Sequence, residues 1–473
     1  MRDLSYDAVM ARKNEIMKNA LGIDYQIYEY GKIAFDYERM LRENSYPIDK
    51  IQDIQRETKV GNTPLFELKN ITNLVRKHSP AGKGARIFIK DEAANASGSF
   101  KARRAAISVY EAQKRGYKGV IAATSGNYGA AVASQAAMRG LRCIVVQEVY
   151  DSRKVGQPEI LEKARKCEAY GAEVVQLTVG PELFYMFLRL LEETGYYNAS
   201  LYTPTSIAGI ESLGYELANQ VLKREGKYPD AVVVTNAGGG NLTGTARGLI
   251  KSGARDAKVI GASVDLTGLH MASDKDFNRK SFTTGHTGFG VPFTTTPDRS
   301  DVPRNAARVL RYMDRYVTIT QGDVFYVTEL LAQLEGLERG PAGNTSLAAA
   351  IAIASEMDQD QIIVVQETEY TGAGKHPMPQ LTFAKSNGIE VRRGDSKENI
   401  PGKNIVIPHG IDQIYLKDFD MMKLRRDYIR NITVQKDIYE ITEEDLLFLC
   451  DEVKLGKEDV LGILESLNVK VQQ

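Results

Sequence analysis

The sequence predicts an α/β protein in which open parallel sheets are flanked by helices, with a helical extension at each end. Three observations predict this. First, short β-rich apolar runs recur along the chain: Arg86-Ile-Phe-Ile-Lys90, Gly119-Val-Ile-Ala-Ala123, Cys143-Ile-Val-Val146, Glu173-Val-Val-Gln-Leu177, Ala231-Val-Val-Val234, Val259-Ile-Gly-Ala262 and Gln361-Ile-Ile-Val-Val365. Apolar runs of this kind mark strands covered on both faces. Second, amphipathic or Ala-rich segments of helical length, such as 102–115, 129–139 and 158–170, lie between them. Strands alternating with helices build parallel sheets. Third, most of these strands run into Gly, Ser, Thr or Asn, at the end where open α/β sheets bind their ligands.

The flanking segments read differently. Residues 1–55 are charged and helix-like, with a break at Asn44-Ser45-Tyr46-Pro47. Residues 267–304 are rich in Gly, Thr, Ser and Pro (Thr283-Thr-Gly-His-Thr-Gly-Phe-Gly-Val-Pro292) and form a long loop or lid. Loops of that length in compact domains are functional or disordered. Past residue 385 the pattern changes again. Residues 436–470 make two short helices, with a capping box at Thr442-Glu-Glu-Asp445 and Gly456 between them. This tail is placed to dock a partner or to cover the core. There is no internal repeat and no low-complexity tract.

Composition narrows the function. Hydrophobic residues make up 43% and charged residues 26% of the 473, as in ordinary globular proteins. Sixty-one Lys plus Arg balance 61 Asp plus Glu, which removes the basic excess that nucleic acid or an anionic membrane would require. Cys143, Cys167 and Cys450 lack metal-ligand spacing and read as reduced, buried thiols, so no metal site is expected. The N-terminus has no apolar signal region and no run of about 18 apolar residues occurs, so a cytoplasmic location is expected.

Three loops carry chemistry. Ala96-Ser-Gly-Ser-Phe-Lys-Ala102 follows a strand and presents Lys101 beside small residues. A lysine amine loses its proton readily when desolvated, as covalent attachment to an aldehyde requires. Lys101 also opens a helix carrying Arg103 and Arg104, for which a solvated basic first turn is the commoner arrangement. In Ala122-Ala-Thr-Ser-Gly-Asn-Tyr-Gly-Ala130, a strand runs into a helix whose first N–H groups can face an anion, with Thr124, Ser125 and Asn127 beside it. A tight turn with glycine chosen for geometry reads equally well there. In Thr235-Asn-Ala-Gly-Gly-Gly-Asn-Leu-Thr-Gly244, four glycines within seven residues make a backbone cradle for phosphate. It is neither a Walker A loop nor a dinucleotide fingerprint.

Taken together and in this order, with Val60-Gly-Asn-Thr-Pro-Leu65 upstream, these loops resemble those of the fold-type II pyridoxal 5′-phosphate (PLP) enzymes. That is the tryptophan synthase β-like superfamily, which includes cysteine synthase and threonine synthase. Ser206-Ile-Ala-Gly209, Gly214-Tyr-Glu216, Glu335-Gly-Leu and Pro341-Ala-Gly343 resemble further landmarks, and the likeness spans roughly residues 58–380. One departure is Ala96, where the family often has Pro; it changes loop stiffness rather than chemistry. The resemblance implies two open parallel sheets. It places a large PLP-binding domain at 58–104 and 217–385, a small domain at 105–216, an N-terminal helical extension at 1–57 and a C-terminal extension at 386–473. It implies that Lys101 holds PLP as a Schiff base and transfers protons. Gly238, Gly239, Gly240 and Asn241 then hold the phosphate, Asn127 the 3′-oxygen, and Thr124, Ser125 and Gly126 the substrate carboxylate. Thr371, in Thr371-Gly-Ala-Gly-Lys375, is implied to face the pyridine nitrogen. A neutral partner there does not keep the ring protonated, which leaves more of the proton transfer to Lys101.

The whole chain, with its extensions and long loop, resembles the large, PLP-binding subunits of the thiolase branch of this superfamily. That resemblance implies cleavage of 2-amino-4-oxopentanoate, an intermediate of ornithine degradation, by coenzyme A to acetyl-CoA and alanine (the D form). It also implies a small α-subunit as partner and a homodimer of the large chain. The alternative is β- or γ-elimination or replacement, as in threonine synthase or an ammonia-lyase. A non-catalytic scaffold subunit would need none of Lys101, Asn127 and the glycine loop, so their joint retention argues against it. Arg299 or Arg304 could meet the phosphates of coenzyme A and His286 could move protons, but solvated loop residues are the commoner arrangement for all three.

Overall fold

All seven β-rich runs form strands, and four further strands join them. A computed structural model describes residues 2–124, 126–267, 274–283, 301–370 and 377–472. In chain order the sheet strands are β1 (Leu65–Glu67), β2 (Arg86–Asp91), β3 (Gly119–Thr124), β4 (Arg142–Tyr150), β5 (Glu173–Thr178), β6 (Tyr197–Asn198), β7 (Ala231–Thr235), β8 (Lys258–Val264), β9 (Arg315–Ile319), β10 (Ile362–Glu367) and β11 (Lys417–Asp418). The larger sheet has the order β11-β9-β8-β7-β10-β2-β1. Its five central strands are parallel, and β1 and β11 close its edges antiparallel. The smaller sheet, β5-β4-β3-β6, is parallel throughout.

Seven helices frame the site: α1 (Lys101–Lys114), α2 (Asn127–Arg139), α3 (Pro158–Ala169), α4 (Pro204–Glu225), α5 (Gly240–Ser252), α6 (Gln321–Glu335) and α7 (Asn344–Ala354). α1 and α5 pack closely on α4 because glycines stand at the contacts. A Cβ on Gly209 would collide with the carbonyl of Arg103, and one on Gly214 with the carbonyl of Thr245. That tight pairing puts the start of α1 beside the start of α5.

The basic first turn of α1 is not solvated. Arg103 is wholly buried and Arg104 nearly so. Arg103 donates to Glu92 at 2.7 and 2.8 Å and to Glu216 at 3.2 Å through two nitrogens, with further bonds to Thr63 and Ser212. Lys90 donates to Glu216 at 2.5 Å and to the Thr63 carbonyl at 2.6 Å. Glu216 also accepts from the amides of Asn62 and Thr63, each at 2.8 Å. This network binds the 60–65 motif, the end of β2, α1 and α4 into one unit. Buried charges are tolerated when paired and fully hydrogen-bonded, as here.

The two ends of the chain meet. The N-terminal segment forms helices at Tyr6–Ala11, Lys13–Leu21, Tyr37–Glu43 and Ile48–Glu57, broken at 44–47 as expected. The tail forms helices at Glu443–Val453 and Lys457–Ser466, and the Thr442–Asp445 capping box is present. Asp445 does more than cap. Its carboxylate also accepts from the amides of Lys32, Ile33 and Ala34 at 2.9–3.0 Å. Leu446, Leu449 and Val453 join Phe35 and Tyr37 in one apolar cluster. The tail thus covers part of the core, one of the two roles expected of it. Asp445→Ala should lower stability by about 2–3 kcal/mol, because four amides, those of Lys32, Ile33, Ala34 and Thr442, lose a charged acceptor. Urea unfolding measures this, and an unchanged midpoint would show that this carboxylate does not hold the tail.

Among the described residues no helix is long and apolar enough to cross a membrane. Cys143 and Cys167 are buried and Cys450 is half-buried; none forms a disulfide.

Candidate active site

Four chain segments converge where parallel strands end. β2 leads through residues 92–100 into α1, β3 through Thr124 and Gly126 into α2, and β7 through residues 236–239 into α5; β10 continues to Glu369. The 98–100 turn is pinned to the end of β10 by backbone bonds from Phe100 to Thr368 at 3.0 Å and from Tyr370 to Gly98 at 2.8 Å. Between these ends lies a cavity of about 220 Å³. Lys101, Thr124, Gly126, Asn127, Gly238, Gly239, Gly240 and Asn241 all line it. Ser125 and Thr371, with Arg299 and His286, lie outside the described residues. Arg304 is half-buried with its guanidinium over the ring of Phe35, 5.5 Å from the centroid, so it is not a solvated loop arginine.

Lys101 opens α1 with its amine in the cavity. Removal from water disfavours the ammonium, and nearby Lys163 and Arg104 add to this against the carboxylate of Glu369, so its pKa falls to about 8. The amine is thus available as a nucleophile near neutrality. Lys163 behaves oppositely. Burial pulls it down, but Glu159, at 2.6 Å, and Glu369 outweigh this and keep it a cation. It lies along the 124–126 loop, where a Cβ on Gly126 would come within 2.8 Å of its Cδ. Thr124 Oγ1 accepts from the Gly126 amide at 3.0 Å, shaping that loop. Asn127 donates its side-chain amide to Glu369, which is buried and whose second carboxylate oxygen has no hydrogen-bond partner among the described residues.

The glycine loop is built for close approach. Gly239 holds φ +81°, which L side chains rarely adopt, and a Cβ on Gly238 would run into the Tyr202 hydroxyl. Polar atoms without a hydrogen-bond partner among the described residues line the same cavity: Ser99 Oγ, Thr235 Oγ1, Arg104 Nε and both side-chain polar atoms of Asn236 and Asn241. Buried polar groups left unsatisfied are costly, and a polar ligand would satisfy them. PLP fits this set. Glycine N–H groups at the start of α5 suit its phosphate. The amine of Lys101 suits its aldehyde. Arg104, Lys163, Asn236 and Glu369 were not singled out from the sequence as site residues. For Arg104 a signal exists, since a residue three places after Lys101 shares its helix face.

The chain belongs to the pyridoxal-phosphate-dependent enzyme family, whose profile matches residues 56–369. Its likeness to two relatives extends well beyond that match. It is 65% identical over 470 residues, 99% of this chain and 100% of the relative, to a 2-amino-4-ketopentanoate thiolase beta subunit from an unknown prokaryotic organism. It is also 65% identical to the protein of that name from Acetoanaerobium sticklandii, over 98% of this chain and 99% of the other. Among solved structures it resembles a threonine deaminase from T.th., with a TM-score of 0.51 and 25% identity over 68% of this chain and 98% of that one. The two-sheet architecture is therefore that of the fold-type II PLP enzymes.

Proposed function

We propose that this chain is the PLP-binding large subunit of a thiolase. It cleaves 2-amino-4-ketopentanoate with coenzyme A to give acetyl-CoA and alanine. The C3–C4 bond breaks, the acetyl group passes to the thiol sulfur, and C3 gains a hydrogen. The observation that carries this reading is the reach of the likeness. Identity of 65% covers 99% of the chain, so it includes the extensions that lie outside the family match at 56–369. Those extensions go beyond a general PLP fold, and the structure packs them together onto the core.

When bound, PLP supplies an electron sink that lets bonds next to the amino-acid nitrogen break. The chain's own residues do the rest. Lys101 would hold the cofactor covalently, and its amine would take a proton from the substrate's Cα and return one to the carbon skeleton. Gly238, Gly239, Gly240 and Asn241 hold the phosphate, and Asn127, fixed by Glu369, meets the 3′-oxygen. Thr124, Ser125 and Gly126 take the substrate carboxylate, and Thr371 takes the ring nitrogen. No cysteine is needed as an acyl carrier. Burial pushes the Cys143 thiol far up and that of Cys167 up to about 12, and neither lines the cavity.

The beta-subunit designation of the relatives supports a small α-subunit as partner, and a homodimer of this chain belongs to the same proposal. Purified with and without that partner, the chain should form acetyl-CoA from 2-amino-4-ketopentanoate only when coenzyme A is present. Release of ammonia or pyruvate without coenzyme A or partner would replace the thiolase reading by a lyase.

A further inference from the structure

Two cationic side chains besides Lys101 line the cavity. Lys163 lies along the 124–126 loop and is paired with Glu159. The second is Arg104, whose charge has no carboxylate partner among the described residues. It is 4% exposed. Its one hydrogen bond among the described residues runs from Nη1 to the carbonyl of Leu201 at 3.3 Å, and Nε has no partner. Its guanidinium lies over the ring of Phe100, 5.5 Å from the centroid. Burial lowers its pKa, but an arginine stays charged at any physiological pH. A buried guanidinium with free donors in a cavity wall calls for an anion.

Position identifies the anion. A Cβ on Gly240 would come within 2.7 Å of Arg104 Nη2, so the guanidinium lies against the first residue of α5. Asn236, Asn241 and Thr235, which line the same cavity, carry buried polar atoms with no hydrogen-bond partner among the described residues. We propose that Arg104 is a phosphate-binding residue, adding a full positive charge and a forked donor to the glycine loop, with the phosphate monoester of PLP as its ligand. The proposal rests on the assignment of residues 238–241 as the phosphate cradle and adds to it the charge that backbone N–H groups lack. Arginine suits this task because its planar fork matches phosphate oxygens in pairs.

The test separates phosphate from ring. Resolved of its cofactor, the wild-type chain is titrated with PLP and with pyridoxal, which lacks the phosphate, following absorbance. R104Q should weaken PLP by about 10- to 100-fold, the range for charge-assisted hydrogen bonds, and leave pyridoxal unchanged. R104K, which keeps the charge but loses the fork, should fall between. Inorganic phosphate should compete with PLP less effectively in both variants. An unchanged preference for PLP over pyridoxal in either variant that folds overturns the assignment, and R104K decides alone if R104Q does not fold. Unaltered PLP affinity with a raised KM for the amino acid also overturns it, by placing the substrate carboxylate on Arg104. A wild-type chain with no preference for PLP would overturn the phosphate cradle itself.

Discussion

Lys101→Ala should leave a folded protein whose thiolytic turnover is lower by at least about 10³-fold, since it removes both the covalent anchor and the proton carrier. Folding should survive because Lys101 is half-buried and its amine makes no hydrogen bond or ion pair among the described residues, so truncation strands no partner. The variant should still bind PLP through the glycine loop. Borohydride reduction followed by mass spectrometry should place a pyridoxyl group on Lys101 in the wild type and nowhere in the variant. The pocket offers a demanding control, because Lys163 also lines it and Lys166 lies nearby, bonded to the Ser97 carbonyl at 2.7 Å. A label on either would remove Lys101 from its role. The pH dependence follows from the same desolvation. With its pKa pulled down to about 8, the amine is neutral above that value and protonated below it. Covalent uptake of PLP by the resolved chain should therefore rise with pH through a midpoint near 8, not near the 10.5 of an exposed lysine.

Arg103→Met should destabilise the protein by about 3–5 kcal/mol, the range for breaking one side of a buried ion pair. Methionine replaces the stem but leaves Glu92, which is wholly buried, without its two charged hydrogen bonds, and Glu216 without two more. Urea denaturation measures the loss, and a shift below about 1 kcal/mol would show that the network is not what holds α1 in place. The acid limb provides a second readout. Burial pushes Glu216 up, but Arg103 and Lys90 outweigh it and hold the carboxyl at about 2, against 4.5 ordinarily. A depressed carboxyl contributes stability that is complete above its unfolded value and is lost as pH falls toward its folded one. The wild type should therefore lose this contribution between about pH 4.5 and 2, and Arg103→Met, in which Glu216 is less depressed, should lose less stability over that window. Because α1 carries Lys101 on its first residue, a loosened Arg103 should also misplace the amine.

Much of this was legible in the residues. Each β-rich run became a strand; most, such as Ile362–Glu367, are buried on both faces as their composition reports, whereas Glu173–Thr178, at the edge of the smaller sheet, is not. The strands that escaped notice, Leu65–Glu67, Tyr197–Asn198 and Lys417–Asp418, lie at sheet edges and span two or three residues, too few for any period to show. Arg315–Ile319 is longer, but it mixes charged, polar and apolar residues. Of the site, Lys101, Asn127 and the glycine loop were visible because their chemistry is local: a lysine among small residues, a strand running into a helix, glycines where backbone must meet a ligand.

Sequence by itself thus determined the parallel α/β build, and it picked out the lysine and the glycine loop that the fold brings to one cavity, since three short loops read together suffice for that. Tertiary structure alone decided which charges are buried. Arg103 and Arg104 look like a solvated first turn until Glu216, 113 residues along the chain from Arg103, and the start of α5 are packed against them. In the same way Glu369 reaches Asn127 across 242 residues, and Asp445 reaches Ala34 across 411. Burial and pairing at such separations depend on which distant elements share a face, and local composition does not encode that.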